Sequence, residues 1–146
     1  MAEVARRTDP FLGFRFEVRV DDLPLGGFSE IGGLQLETEV FDYPEGGLNT
    51  VLHKLPVRTK QTNLQLKRGL ADRSLWAWHA ELAGGTVNRR SGSILLHDPS
   101  GEQVVAQWQF RRAYPVKWVG PALNATQNQV AVETIELVHE GLEMMG

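Results

Sequence analysis

Phe14-Arg15-Phe16-Glu17-Val18-Arg19-Val20 alternates apolar and charged side chains without a break. A side-chain period of two puts Phe14, Phe16, Val18 and Val20 on one face and Arg15, Glu17 and Arg19 on the other. That predicts a half-buried β-strand. The alternation returns in Leu34, Leu36 and Val40 against Glu37 and Glu39, and in Val104, Ala106, Trp108 and Phe110 against Gln103, Gln107 and Gln109. Leu64 with Leu66, and Val116 with Trp118, are shorter instances. Ser93–His97 and Val130–His139 carry enough apolar and β-branched residues to be strands as well. In the last of these the apolar phase moves from Val130 and Val132 to Ile135 and Leu137, which predicts a bulge near Glu133.

Turn residues separate the runs, notably Gly26-Gly27, Gly32-Gly33 and Asp98-Pro99-Ser100-Gly101. One segment has helical spacing instead: Leu75, Trp78, His79 and Leu82 form a single apolar stripe. Asp72 is placed to cap its start and Gly84-Gly85 to end it, predicting a helix over about 72–83. Between Asp42 and Arg58 the alternation weakens around Pro44, Gly46, Gly47 and Pro56. That stretch reads as a long loop or extended arm, too long for an idle connector. The fold class is therefore mainly β: a β-barrel or sandwich of about seven or eight strands with one packed α-helix. Trp76, Trp78, Leu82, Trp108 and Trp118 are its expected core anchors.

The chain has 146 residues, 42% of them hydrophobic, which suits one domain with a core of its own. Fifteen Lys and Arg against 18 Asp and Glu give a net charge of −3, not the basic balance of a general nucleic-acid coat. Charge is uneven along the chain. Asp9–Glu45 holds nine acidic and two basic residues, Gly46–Arg73 six basic and one acidic. Such segments fit pairing within one subunit and head-to-tail contact between subunits equally well. There is no cysteine, which removes disulfides, thiolate nucleophiles and cysteine metal sites. The charged start, Met1 to Arg7, lacks the apolar stretch of a secretory signal, so a protein made in a cytoplasm is expected.

No constellation for catalysis emerges. Gly27-Phe28-Ser29-Glu30-Ile31-Gly32 has the glycine spacing of a phosphate-binding loop but continues into Gly33-Leu34, without the lysine that grips phosphate. Ser29 lacks the tight elbow of a hydrolase nucleophile. His53, His79, His97 and His139 are dispersed, and His139-Glu140 is followed by Gly141 rather than a second histidine at metal spacing. Glu37 with Glu39 reads as a solvated or interface face rather than an acid–base pair. The basic pairs, such as Lys67-Arg68, read as solvated charges. No enzyme activity, cofactor or metal is expected. A ligand-binding β-sandwich is the reading from another class.

Eight stretches in order carry a family resemblance: Asp9-Pro10-Phe11 leading into Phe14–Val18, Gly27–Leu34, Tyr43–Asn49, Lys54-Leu55-Pro56, Asn63–Gly69, Leu75–Trp78, Ala113–Trp118 and Glu133–Leu142. Together they resemble the tail-tube proteins of contractile phages, and especially the inner-tube proteins of extracellular contractile injection systems. Type VI secretion's hemolysin-coregulated protein is related to these in fold. The resemblance implies one tail-tube domain over residues 1–146, with residues 1–13 as an N-terminal arm, and hexameric rings stacked into a hollow tube. It implies sheath, baseplate or hub, and tube-cap proteins as partners, and cargo or DNA passing through without tight binding. A phage tail or extracellular particle, assembled from protein made in the bacterial cytoplasm, is the implied location. A tube-initiating baseplate adaptor shares these motifs. In the family an extended loop reaches neighbouring subunits, and Asp42–Arg58 occupies its place here. Tyr43, Glu45, Gly46, Gly47, Leu48, Asn49, Lys54, Leu55, Pro56 and Val57 are then the expected inter-subunit residues. After Lys54-Leu55-Pro56 the family usually has glycine, where this chain has Val57.

Overall fold

The structure, a computed structural model, describes residues 15–23, 27–44, 52–70, 72–126 and 130–145. The expected N-terminal arm, residues 1–13, lies outside them. Among the described residues nine strands and one helix follow in the order β1 (Arg15–Val20), β2 (Glu30–Gly32), β3 (Leu36–Pro44), β4 (Leu52–Gln61), β5 (Leu64–Gly69), α1 (Ser74–Ala83), β6 (Arg90–His97), β7 (Val104–Val119), β8 (Val132–Val138) and β9 (Gly141–Met145). Seven strands form one antiparallel sheet in the order β1-β6-β7-β8-β5-β2, with β9 also on β7; among the described residues β3 and β4 pair only with each other.

The sheet folds over on itself through β7. Its first part pairs with β6 and β9, while Tyr114–Val119 pairs with β8. At the changeover Arg112 takes a left-handed φ of 52°, and the register slips again between Pro115 and Lys117. Such irregularities let one strand turn from one layer into another. The result is sandwich-like, without a closed barrel. Between the layers lie Val18, Val20, Ile94 and Phe110 from one side and Leu64, Leu66, Ile135 and Leu137 from the other. Leu75 and Trp78 of α1 complete this core.

Period-two alternation marks the strands of the body well. In β5, Leu64, Leu66 and Arg68 are buried while Gln65, Lys67 and Gly69 are exposed. In β8 the inward set is Glu133, Ile135 and Leu137, and its register with β5 runs unbroken from Leu64↔Leu137 to Gly69↔Val132. No bulge falls near Glu133. The apolar phase is constant, and a carboxylate occupies one inward position because a buried cation waits opposite it.

The helix starts two residues later than the spacing suggests and ends as expected, with the Gly84 N–H bonding the Ala80 carbonyl at 3.0 Å. Asp72 Oδ1 accepts from the Ser74 N–H at 2.9 Å and the Ser74 hydroxyl at 2.6 Å, holding the first turn from just outside it. Trp78 is buried and its indole N–H donates to the Asn88 carbonyl at 2.9 Å. Trp108 and Trp118 are half-buried against the core; Leu82, expected as an anchor, is half-buried without packing against it. Trp76 corrects the expectation of a core anchor: it is exposed, its ring meeting Trp118 edge-on at 5.0 Å. The helix's apolar stripe leaves Trp76 on a different face from Trp78.

The hydrogen bonds to Asp72 have a pH consequence. Bonds from the Ser74 hydroxyl and backbone, then from Arg68, bring its carboxyl from 3.8 down to about 2. A carboxyl lowered in the folded state contributes stability above its unfolded value and loses it as pH falls toward the folded one. Thermal melts of Asp72→Asn should therefore lie below the parent at neutral pH and converge on it between about pH 4 and pH 2. A gap that persists unchanged down to about pH 2 would refute this role.

Candidate assembly surface

Of the stretch expected as a long loop or extended arm, Asp42–Arg58, the described residues 42–44 and 52–58 belong to a two-stranded ribbon. β3 pairs with β4 from Leu36↔Gln61 to Pro44↔Leu52. Three pairings put acid opposite base: Glu37↔Lys60, Glu39↔Arg58 and Asp42↔Lys54. Glu39 takes both Lys60 Nζ at 2.5 Å and Arg58 Nε at 2.7 Å, and these two cations hold its carboxyl below the usual range. Thr38 and Thr59 share a hydroxyl bond at 3.3 Å. The acidic and basic segments of the sequence thus pair within one subunit here, and cross-strand pairs of this kind are what hold a sheet together. Pro56 is tolerated because the register slips beside it: Glu39 faces Arg58 and Val40 faces Pro56, leaving Val57 as the extra residue of a bulge. The position where the family usually has glycine is that bulge.

Alternation places Phe41 and Leu55 opposite each other, with Tyr43 next along the same face; Val40 and Pro56 lie on the other. None of this apolar surface is covered. Phe41 is 56% exposed, Val57 57%, and Leu36, Val40, Tyr43 and Leu55 are about as open. The alternation of Leu36 and Val40 therefore marks a strand with no buried face within the subunit. Beyond its own pairing, the ribbon makes no sizeable contact with another element among the described residues. Of the expected inter-subunit residues, Tyr43, Lys54, Leu55, Pro56 and Val57 sit on this ribbon, all exposed. Glu45, Gly46, Gly47, Leu48 and Asn49 lie outside the described residues.

The ribbon's root is fixed to the body. Gly33 has a φ of +91°, and a Cβ there would fall 2.1 Å from the Asn63 carbonyl oxygen, so only glycine fits. His139, at the end of β8, bonds through Nε2 to the Thr62 carbonyl at 3.0 Å. Both contacts clamp the short links that carry the chain into and out of the ribbon.

At the far end of β5 the structure holds a group of charges that includes Arg68, which the sequence reads as a solvated charge. Arg68 is fully buried with Glu133: Arg68 Nε donates to Glu133 Oε1 at 2.7 Å, and the Trp118 indole N–H to Oε2 at 3.0 Å. Arg68 Nη2 reaches Asp72 at 2.8 Å and the Ser74 hydroxyl at 3.0 Å, tying β5, β7, β8 and the start of α1 together. The signal was present in the sequence, because Arg68 and Glu133 stand in phase with Leu64-Leu66 and Ile135-Leu137.

Two further candidate groups have structural partners. Ser29 Oγ donates to the Lys67 carbonyl at 3.2 Å, and His97 meets Glu17 at 3.2 Å. Among the described residues no three His, Cys, Asp or Glu side chains gather as a metal site, and no helix is long and apolar enough to cross a membrane. The depression lined by Glu30, Gly32, Gln65, Lys67 and Thr134 contains none of the carboxyls whose pKa is displaced.

Residues 12–143 match the family model described as T4-like virus tail tube protein gp19. A chain of the sheath–tube complex of PVC, an extracellular contractile injection system, in its extended state is 26% identical, with a TM-score of 0.81 over 93% of this chain and 91% of its own. A chain of the six-fold symmetrised baseplate of the anti-feeding prophage is 27% identical, with a TM-score of 0.83 over 96% and 98%. Hcp1 from Flavobacterium johnsoniae shares the fold at 13% identity and a TM-score of 0.56, over 89% and 94%. No curated protein matches the chain.

Proposed function

The chain belongs to the T4-like virus tail tube protein family, and on that premise we propose that it is the repeating subunit of the inner tube of a contractile injection system or phage tail. It works by assembly, without catalysis or cofactor. Copies form hexameric rings, and the rings stack into a conduit for cargo or DNA inside a sheath, between a baseplate and a cap. The family match across residues 12–143 carries this reading. The ribbon supplies a physical means, since apolar surface that its own subunit leaves exposed marks a partner site. The acidic net charge suits a channel that must pass DNA without holding it. Similarity to a chain in a baseplate structure makes a tube initiator of the same fold the second reading.

Electron microscopy of the purified protein tests this. Rings and long tubes are expected; an initiator would instead give single rings that do not elongate, and a uniform monomer at high concentration would end both readings. Phe41→Ser combined with Leu55→Ser should leave the circular dichroism spectrum unchanged and abolish tubes. Full-length tubes from that variant would remove the ribbon from the mechanism.

A further inference from the structure

The corner at which β7 passes from one layer to the other carries a cluster of arginines. Strict alternation would send Arg111 and Arg112 to opposite faces of the sheet. Instead both are exposed, between Phe110 and Ala113, which are fully buried. A bulge takes up the extra residue: Gly92 faces Phe110 and Arg90 faces Ala113, so two residues of β7 stand against Ser91 alone. Arg112 accommodates this with a φ of 52°, in the left-handed region that glycine enters freely and a long side chain rarely does. Its N–H bonds the Ser91 hydroxyl at 3.3 Å. The neighbouring chain turns the same corner, with Glu140 exposed and Gly141 beside it, between buried His139 and core-packed Leu142.

Three guanidiniums gather on Glu140 and Gly141. Arg112 Nε lies 2.9 Å from Glu140 Oε2, and Arg89 Nη1 3.2 Å from Oε1. The Arg89 guanidinium also sits over the Tyr114 ring, 4.9 Å from its centroid. Arg111 lies across Gly141, where a Cβ would fall 2.8 Å from its Nη2, and its side chain has no ion pair or hydrogen bond among the described residues. We propose that this corner is a docking site for an acidic segment of a partner protein, whose carboxylates Arg111 and Arg112 take beside Glu140. The left-handed arginine carries the inference. A position suited to glycine holds a long cation instead, and its exposed ion pair adds little stability to the subunit. Bulges re-aim side chains, and strained backbone persists where the side chain it presents has a function. One carboxylate already lies between two of the arginines, so guanidinium-to-carboxylate pairing is the chemistry the corner is built for. A nucleic-acid backbone fits less well: three cations neutralise few phosphates, and the chain's net charge of −3 opposes it. The site is independent of the tube reading, and a chain that formed no ring would still carry it.

Fluorescence anisotropy of labelled hexaglutamate titrated with the purified full-length chain tests this. Binding should weaken as salt rises, fall several-fold in Arg111→Ala and in Arg112→Gly, and hold in Lys67→Ala, on the other sheet face. Glycine adopts a φ of 52° freely, so Arg112→Gly should melt close to the parent, which separates lost recognition from lost folding. Glu140→Gln removes the carboxylate that occupies Arg89 and Arg112. It should tighten binding several-fold, and by more than the equal charge change Glu102→Gln at the turn before β7. A parent that does not bind hexaglutamate, arginine variants that bind it as the parent does, or a Glu140→Gln protein that gains no more than Glu102→Gln would overturn the site. Tighter binding of an oligothymidylate of equal charge would overturn the choice of a protein partner.

Discussion

Glu133→Ala should lower the melting temperature by about 10 °C, because removing one partner of a buried ion pair costs about 3 kcal/mol or more. Arg68 would be left as a buried cation whose remaining carboxylate contact, Asp72, lies at the surface, and the Trp118 N–H would lose its acceptor. The double variant Arg68→Met with Glu133→Leu removes more polar atoms, yet should melt above the single one. A well-packed apolar pair of similar volume carries no desolvation cost. Calorimetry of the two side by side is the check. A Glu133→Ala protein with unchanged melting, or a double variant that melts lower still, would show that the pair is not a desolvated unit.

Trp78→Ala should be as damaging or worse, at about 3–5 kcal/mol, from the loss of a large core side chain and the cavity left behind. The expected product is insoluble or unfolded chain, not a folded subunit that fails to assemble. Trp78 fills the space between α1 and the sheet, and its N–H satisfies the Asn88 carbonyl in the link to β6. Trp78→Phe keeps much of the volume and loses that bond, so it should cost only about 1–2 kcal/mol and keep the fold. Trp76→Ala, two residues away on the helix's exposed side, should change melting little. Equal destabilisation by the Trp76 and Trp78 changes would mean that the helix is rotated from the position described.

The two tryptophans mark how far local pattern reaches. Spacing of 3.6 residues placed Leu75, Trp78, His79 and Leu82 on one stripe, and period two identified the inward residues of β1, β5 and part of β7. These follow from the geometry of a helix and a strand, so the sequence determined them by itself. The glycine at position 33 belongs with them only in part: a turn was legible, but its close approach to Asn63 depends on a neighbour thirty residues on. The ribbon was harder. Its prolines and glycines weaken the alternation, and its evidence is the register that sets Glu37, Glu39 and Asp42 opposite Lys60, Arg58 and Lys54. Cross-strand pairing is a non-local property that opposite charge in two segments permits without specifying.

Arg68 and Glu133 show what only the tertiary structure decided. Each lies in phase with buried leucines and isoleucine, yet a lone charge on an inward face has no reason to be there until its partner, 65 positions away, is brought opposite it. The same holds for the ribbon's uncovered face. Alternation says that Leu36, Val40 and Phe41 belong to a strand, but whether that strand meets a second layer depends on where the sheet turns, and β7 turns it elsewhere. Local chemistry set the elements; long-range pairing set which faces are buried, because burial is a relation between surfaces that a single segment does not contain.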